Sequence, residues 1–307
     1  MSTPTTITDS PTATTPTLTA PSTTAPDTPV KPKRPTKSRK TSRGISVGFV
    51  LAAAVLTIVT AWALFPGLFT SADPIDGDAT ETFLAPSAQY WFGTDHLGRD
   101  LYARMVYGTT QTFLTAGIAV LLGLVIGMAF GIAAATWGRA SDTVFMRLVD
   151  VLLSVPPFLI ALLIVTMSGP GAMSLGIGVG IAAIASFARV TRAEILRVRN
   201  LDYVEAAFMN GGTYFSVLRK HVLPNAIGPV LALVTTELGV AILLISSLGF
   251  LGFGAPPPQP EWGLIISEGS QYMASSWWMT TLPGIVIVIT VVSLGVVSRR
   301  LLSWLRV

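Results

Sequence analysis

Six apolar stretches, each near the ~20 residues that cross a bilayer as a helix, dominate this chain. They run over Ile45–Phe69, Gly108–Trp137, Val144–Met167, Leu175–Val190, Ala226–Phe253 and Thr281–Leu302. In lipid, backbone N–H and C=O groups must be satisfied within the segment, so each stretch is expected to be helical. A β-barrel would need alternating segments of ~10 residues, and the sequence has none. Of the 307 residues 51% are hydrophobic and only 12% charged, about half the charge of a soluble domain. That leaves too little polar surface for a water-soluble globule. The expected fold is an all-α integral membrane protein with six transmembrane helices.

Residue inventory removes several chemistries. There is no cysteine, which excludes disulfide frameworks, thiolate nucleophiles and iron–sulfur clusters. The two histidines, His96 and His221, both fall outside the spans, which is thin material for a metal centre or a Ser-His triad. No G-x-x-x-x-G-K-[ST] run is present, so no P-loop can cradle ATP here.

Charge placement predicts orientation. With a cytoplasmic N-terminus, the outer connections carry only Arg99 and Arg104 of the 20 Lys and Arg. All the others fall inside or at inner helix ends, which puts both termini in the cytoplasm. Residues 1–44 form a Thr/Pro-rich tail, expected to be disordered, ending in the basic run Lys31–Arg43. Directly before an apolar span, that run reads as a topology signal rather than a nucleic-acid site. It lies too deep, and the span after it is too long, for a secretory signal. The organisation is then a tail over 1–44, a first span over 45–69, an extracytoplasmic segment over 70–107 and a membrane domain over 108–307.

The inner connection over 200–225 is too amphipathic for a plain linker. Asp202 followed by Glu205 reads as an N-cap with a capping box. Tyr203–Asn210 makes about two helical turns with Val204, Ala207 and Phe208 on one face. Gly211 and Gly212 end it, Thr213 caps a second short helix running through His221, and Pro224 starts the next span. The run E-A-A (Glu205, Ala206, Ala207), then Gly211, then H-V-L-P-N (His221, Leu223 and Pro224 within it) resembles the cytoplasmic coupling loop of ABC-type importer permeases. On that resemblance these residues seat a short helix on an ATPase subunit. An interfacial helix on the inner leaflet is the plainer alternative.

The outer segment carries W-F-G-T-D-H-L-G-R-D-L-Y-A-R over Trp91–Arg104. It is similar to the signature of one permease branch, the dipeptide/oligopeptide/nickel permeases, within which the chain looks like the second, dipeptide-permease-C-like subunit. Physically, Asp95, Arg99, Asp100 and Arg104 are placed to form a local ion-pair cluster at the membrane edge. The outer acids lack calcium-loop spacing. The loop Gly252–Gly269 also looks like this branch, and Glu261 and Trp262 are candidates to line the outer mouth or meet a binding protein.

Within the spans, Gly123, Gly127 and Gly131 recur every four residues, with Gly117 beginning that face less regularly, a pattern for close helix packing. Pro156 and Pro157 should kink or break the third span. Glu237 is the one acid well inside a span. It costs ~2.5–3.5 kcal/mol on insertion scales and should face the bundle interior or a water-filled path. There it either draws a substrate amine or cation, or pairs with a hydroxyl or a partner subunit.

The resemblance implies a type I importer permease of a bacterial plasma (inner) membrane. It would work with a homologous second permease, two ABC ATPases holding ATP and Mg, and an extracytoplasmic substrate-binding protein. This chain would then bind no cofactor and catalyse no bond chemistry. Peptides are favoured over nickel or a metal chelate, since the spans offer no histidine. The C-terminal V-S-R-R-L-L-S-W-L-R-V departs from the branch pattern by lacking an acid. A self-powered secondary transporter would instead need paired acids or histidines within the spans, and only Glu237 qualifies.

Overall fold

A computed structural model describes residues 47–305. The tail and basic run of residues 1–44 lie outside the described residues, as does Arg306. The described chain is helical: α1 Val47–Leu64, α2 Leu101–Thr136, α3 Arg139–Ser154, α4 Pro157–Ser168, α5 Ala172–Arg199, α6 Asp202–Met209, α7 Tyr214–Val217, α8 Leu223–Phe250, α9 Trp262–Ser270 and α10 Trp278–Leu305. Five helical runs are long and apolar enough to cross a membrane, and six if α3 and α4 count together as one broken span. Exposed apolar side chains along α1, α2, α4, α8 and α10, such as Leu51, Leu121, Leu163, Leu231 and Val288, form the surface that lipid tails cover.

The third span breaks where the prolines predict. α3 ends at Ser154, Pro157 opens α4, and the two helices meet at 87°. Pro157 has no N–H to donate and its ring excludes the carbonyl one turn back, so no continuous helix can pass. α4 is apolar on all sides. α3 is amphipathic and holds the charges Arg139, Asp142, Arg147 and Asp150.

The centre of the bundle is the α2–α5 pair, and its closeness follows from small residues. A Cβ on Gly123 would lie 2.7 Å from Ala183 Cβ, on Gly127 2.6 Å from Ile184 O and Phe187 Cβ, and on Gly131 2.6 Å from Thr191 Cβ. Only hydrogen fits at these three positions, and the backbones approach accordingly. Gly117 departs from the expectation: nothing lies within 4 Å of its Cβ direction, so it is not part of that seam. The buried face there is carried by Thr112, Ala116 and Ala119.

α2 also starts earlier than its apolar stretch. Asp100 accepts a hydrogen bond from Tyr102 N at 2.9 Å as N-cap, and Leu101, Ala103, Arg104 and Met105 of the first turns are buried by protein. α8 and α10 are tied by Thr236 Oγ1 to Ser298 Oγ at 2.6 Å and Ser298 Oγ to Ala232 O at 3.0 Å. α1 leans on α10 and α2 through Phe49 against Trp304 and Thr110 Oγ1 to Ala63 O at 2.9 Å.

Candidate functional site

Residues 201–225 fold as helix, glycine turn, helix at one end of the bundle. α6 is capped one residue earlier than the capping-box reading. Leu201 is the N-cap, without a side-chain hydrogen bond, and Asp202 and Glu205 fall in the first turn. Both acids then favour the helix through its dipole instead of through a box. Gly211 ends α6 with φ +82°, a left-handed conformation that L side chains rarely adopt. Next to it, a Cβ on Gly212 would press to 2.7 Å against Ala207 O and Val217 Cγ2.

The second helix does not stop at His221. α7 passes through a π turn, Leu218–Val222, straight into α8, giving one helical run over Tyr214–Phe250. The cause is Pro224, which lacks an N–H and would clash with the carbonyl four residues back. The wider turn lets Leu223 N reach Leu218 O, five residues back. His221 sits in this turn, and its carbonyl accepts a hydrogen bond from Asn225 Nδ2 at 2.7 Å.

Val204, Val217 and Val222 anchor the segment by packing with Ala135, Ile195 and Val198 of α2 and α5. Each buried valine contributes about 1.5–2 kcal/mol. Away from that anchor the segment shows an apolar surface. Met209 is 81% exposed and Phe215 71%, with Tyr203, Phe208 and Tyr214 exposed around them. Glu205 and Ala206 are exposed, Ala207 and Leu223 half-buried, and Pro224 exposed.

The opposite end holds the ion-pair cluster, with a member that local reading missed. Asp95 Oδ2 takes Arg99 Nε at 2.6 Å and Arg104 Nη1 at 3.0 Å, and Glu268 Oε2 on α9 takes Arg99 Nη2 at 3.1 Å and Arg104 Nη2 at 2.9 Å. The cluster is buried rather than lying at an exposed edge: Asp95, Arg99 and Arg104 are all at most 3% exposed. Two guanidinium groups and two carboxylates cancel, the condition under which buried charge is tolerated. Asp100 is not a member, being the α2 cap. The sign that a distant acid was needed is in the sequence, since Arg99 and Arg104 are the two basic residues of the segment 70–107, which otherwise carries acids.

Trp262 and Glu261 differ from the outer-mouth expectation. Trp262 is 0% exposed, with Nε1 donating to Met105 O at 3.1 Å and its ring edge-on to Phe113. It is a core anchor between α9 and α2. Glu261 is 2% exposed, and its Oε2 accepts from Ala255 N at 3.0 Å while Oε1 has no partner. Gly249 and Gly254 leave the space it fills. Burial pushes its carboxyl up to about 7, and the Ala255 N–H offsets this only partly.

Glu237 lines a cavity of about 200 Å³ with Ala119, Pro157, Val179, Ser186 and Ala241, walled by α2, α4, α5 and α8. No three His, Cys, Asp or Glu side chains gather as a metal site among the described residues.

Known proteins fit this arrangement. In sequence the chain is 32% identical over 265 residues to the dipeptide transport system permease protein of Alkalihalophilus pseudofirmus, covering 86% of each chain. It is 31% identical over 258 residues to the glutathione transport system permease protein of Pectobacterium atrosepticum, covering 84% of this chain and 85% of that one. In structure it superposes on a chain of the inward-facing MetNI methionine ABC transporter with a TM-score of 0.55 at 19% identity, covering 67% of this chain and 97% of that chain. The helical architecture is therefore the type I fold of ABC importer permeases, carried by a multi-pass bacterial inner-membrane protein. Residues 123–306, which include the α2–α5 seam and the whole helix–glycine–helix segment, match the family described as the inner membrane component of binding-protein-dependent transport systems, and the chain belongs to that family.

Proposed function

We propose that the chain is one of two homologous membrane subunits of an ATP-driven importer of di- or oligopeptides, and that residues 200–225 couple it to an ATPase subunit. The observation that carries this is the built form of the segment. An exposed apolar surface on α6 and α7 is fastened to α2 and α5 by buried valines, and α7 runs without interruption into α8. A load applied to Phe215 therefore reaches a membrane-spanning helix directly, and one applied to Met209 reaches it across the glycine turn. Glu205, Ala206 and Ala207 lie on α6, with small side chains allowing close approach of a partner groove, and Gly211 sets the angle between α6 and α7. His221, Leu223 and Pro224 form the join to α8.

ATP and Mg are assigned to the partner ATPases, substrate capture to an extracytoplasmic binding protein, and no bond chemistry to this chain. The gathering of Lys and Arg on one side of the spans supports cytoplasmic termini. The dipeptide and glutathione permeases among its relatives support a peptide cargo. Glu237, in its cavity among four helices, is the residue proposed to meet a peptide amine in the pathway.

The test is Gly211→Val in the assembled transporter. A β-branched residue at φ +82° is strained by roughly 1–2 kcal/mol, enough to reset the turn without unfolding a segment held by three buried valines. The expected result is a complex that assembles and hydrolyses ATP but imports little peptide per ATP. Import at the wild-type ratio would overturn the assignment.

A further inference from the structure

A cavity of about 330 Å³ opens at the glycine-turn end of the bundle, between the ends of α2 and α5, the start of α3 and Tyr214. Its charged walls are Arg139, Asp142 and Arg199. Asp142 is already neutralised, because Arg192 reaches its two oxygens at 2.5 and 2.7 Å. Arg139 and Arg199 form no ion pair with any described residue. Two uncompensated guanidinium groups therefore face one cavity.

Its level relative to the membrane follows from the broken span. α4 is apolar all round, and α3 crosses its end at 87°. Along α3, Val144, Leu148 and Val151 are exposed at spacings of four and three, one stripe of an interfacial helix. Trp137, 74% exposed just before α3, is the residue type that collects at headgroup depth. Arg139, the first residue of α3, thus lies where lipid phosphates lie.

We propose that this cavity binds the phosphate of an anionic phospholipid headgroup, held by Arg139 and Arg199. A guanidinium offers paired N–H groups that match phosphate oxygens, and basic pockets between spanning helices take anionic headgroups from the adjoining leaflet. The site has a mechanical neighbour. Arg199 lies 5.7 Å from the centre of the Tyr214 ring, and Tyr214 Oη donates to Thr136 O at 3.2 Å. A phosphate that draws Arg199 acts on Tyr214, the first residue of α7. Binding stands on the cavity alone, and an effect on ATP turnover rests on the coupling role proposed above.

The experiment uses the assembled transporter in nanodiscs of phosphatidylcholine with and without phosphatidylglycerol, and reads lipid retained in native mass spectrometry alongside ATP turnover. Wild-type transporter is expected to retain phosphatidylglycerol about tenfold better than R139Q/R199Q, the scale of losing two charge-assisted contacts. R139Q alone, which alters nothing on the coupling segment, should lose part of that retention and keep its ATP turnover in phosphatidylcholine. Equal retention by wild type and the double variant overturns the site. Displacement of the lipid by millimolar inorganic phosphate, with the same change in turnover, overturns the lipid as ligand and leaves a small-anion site. Selective retention without any change in turnover overturns the link to Tyr214. The Gly211→Val result decides the coupling role separately.

Discussion

Replacing Glu261 by Gln removes a buried titratable carboxyl without changing shape, and the structure fixes the direction of the outcome. The carboxyl is 2% exposed, has one N–H donor and leaves Oε1 unpartnered, and no charged side chain contributes to the shift that carries it from 4.5 to about 7. Below pH 4.5 both the folded and the opened forms hold the proton, and Glu261 contributes no pH dependence. Between 4.5 and 7 the opened form ionises while the folded form keeps its proton, so stability falls as pH rises. Above 7 the loss is complete, at about 3 kcal/mol for this shift. Between pH 5.5 and 8 the change is about 2 kcal/mol, which for a chain of this size moves the unfolding midpoint by about 3 °C. The assay is thermal unfolding of wild type and E261Q in the same detergent, following tryptophan fluorescence at both pH values. Other groups titrate in both proteins, so the signal is the difference of the two pH responses. E261Q should lose about 2 kcal/mol of wild-type alkaline destabilisation. Parallel pH responses, or a wild type that gains stability relative to E261Q as pH rises, would refute the reasoning.

Outcomes for four further variants are expected. Arg104→Gln withdraws a cation shared by Asp95 and Glu268, and the imperfectly compensated carboxylates should cost about 3 kcal/mol, read as a lower unfolding midpoint and faster proteolysis around α9. Gly127→Ala forces a methyl to 2.6 Å from Ile184 O and Phe187 Cβ, an overpacking cost of about 1–3 kcal/mol. Gly117→Ala, with nothing within 4 Å, should be neutral or better in the same measurement. Glu237→Gln should lower import of peptides with a free N-terminal amine relative to N-acetylated ones, and an unchanged ratio removes Glu237 from the pathway.

The spans were legible because hydropathy over ~20 residues is set by lipid and needs no knowledge of neighbours. The break at Pro156–Pro157 was legible for the same reason, since proline acts on its own backbone. Features that depend on distant partners were not. Glu268 lies 169 residues from Arg99, and only the oddity of two arginines among the acids of 70–107 hinted at it. α2 begins before its apolar stretch because protein, not lipid, buries its first turns, which a hydropathy window cannot distinguish. Trp262 and Glu261 looked like rim residues because they follow a proline-rich loop, yet Phe113, Met105 and a glycine cradle bury them. The capping box failed by one residue, as Leu201 took the N-cap. The π turn could have been sought from Pro224, which sits where a continuous helix can pass only if its hydrogen bonds are re-spaced.

That turn gives the molecule a transmission shaft. The run Tyr214–Phe250 contains 37 residues, roughly 55 Å of helix at 1.5 Å per residue. A pivot of about 10° near its middle displaces each tip by about 5 Å, close to one helical pitch. Its compliance is uneven. The π turn and Pro229 both fall in the first half, while the second half, through Gly249, is gripped by α9 and α10. The soft half adjoins the glycine turn and the stiff half ends beside Glu261, so on the coupling role proposed above the shaft flexes where force enters and stays straight where motion is delivered.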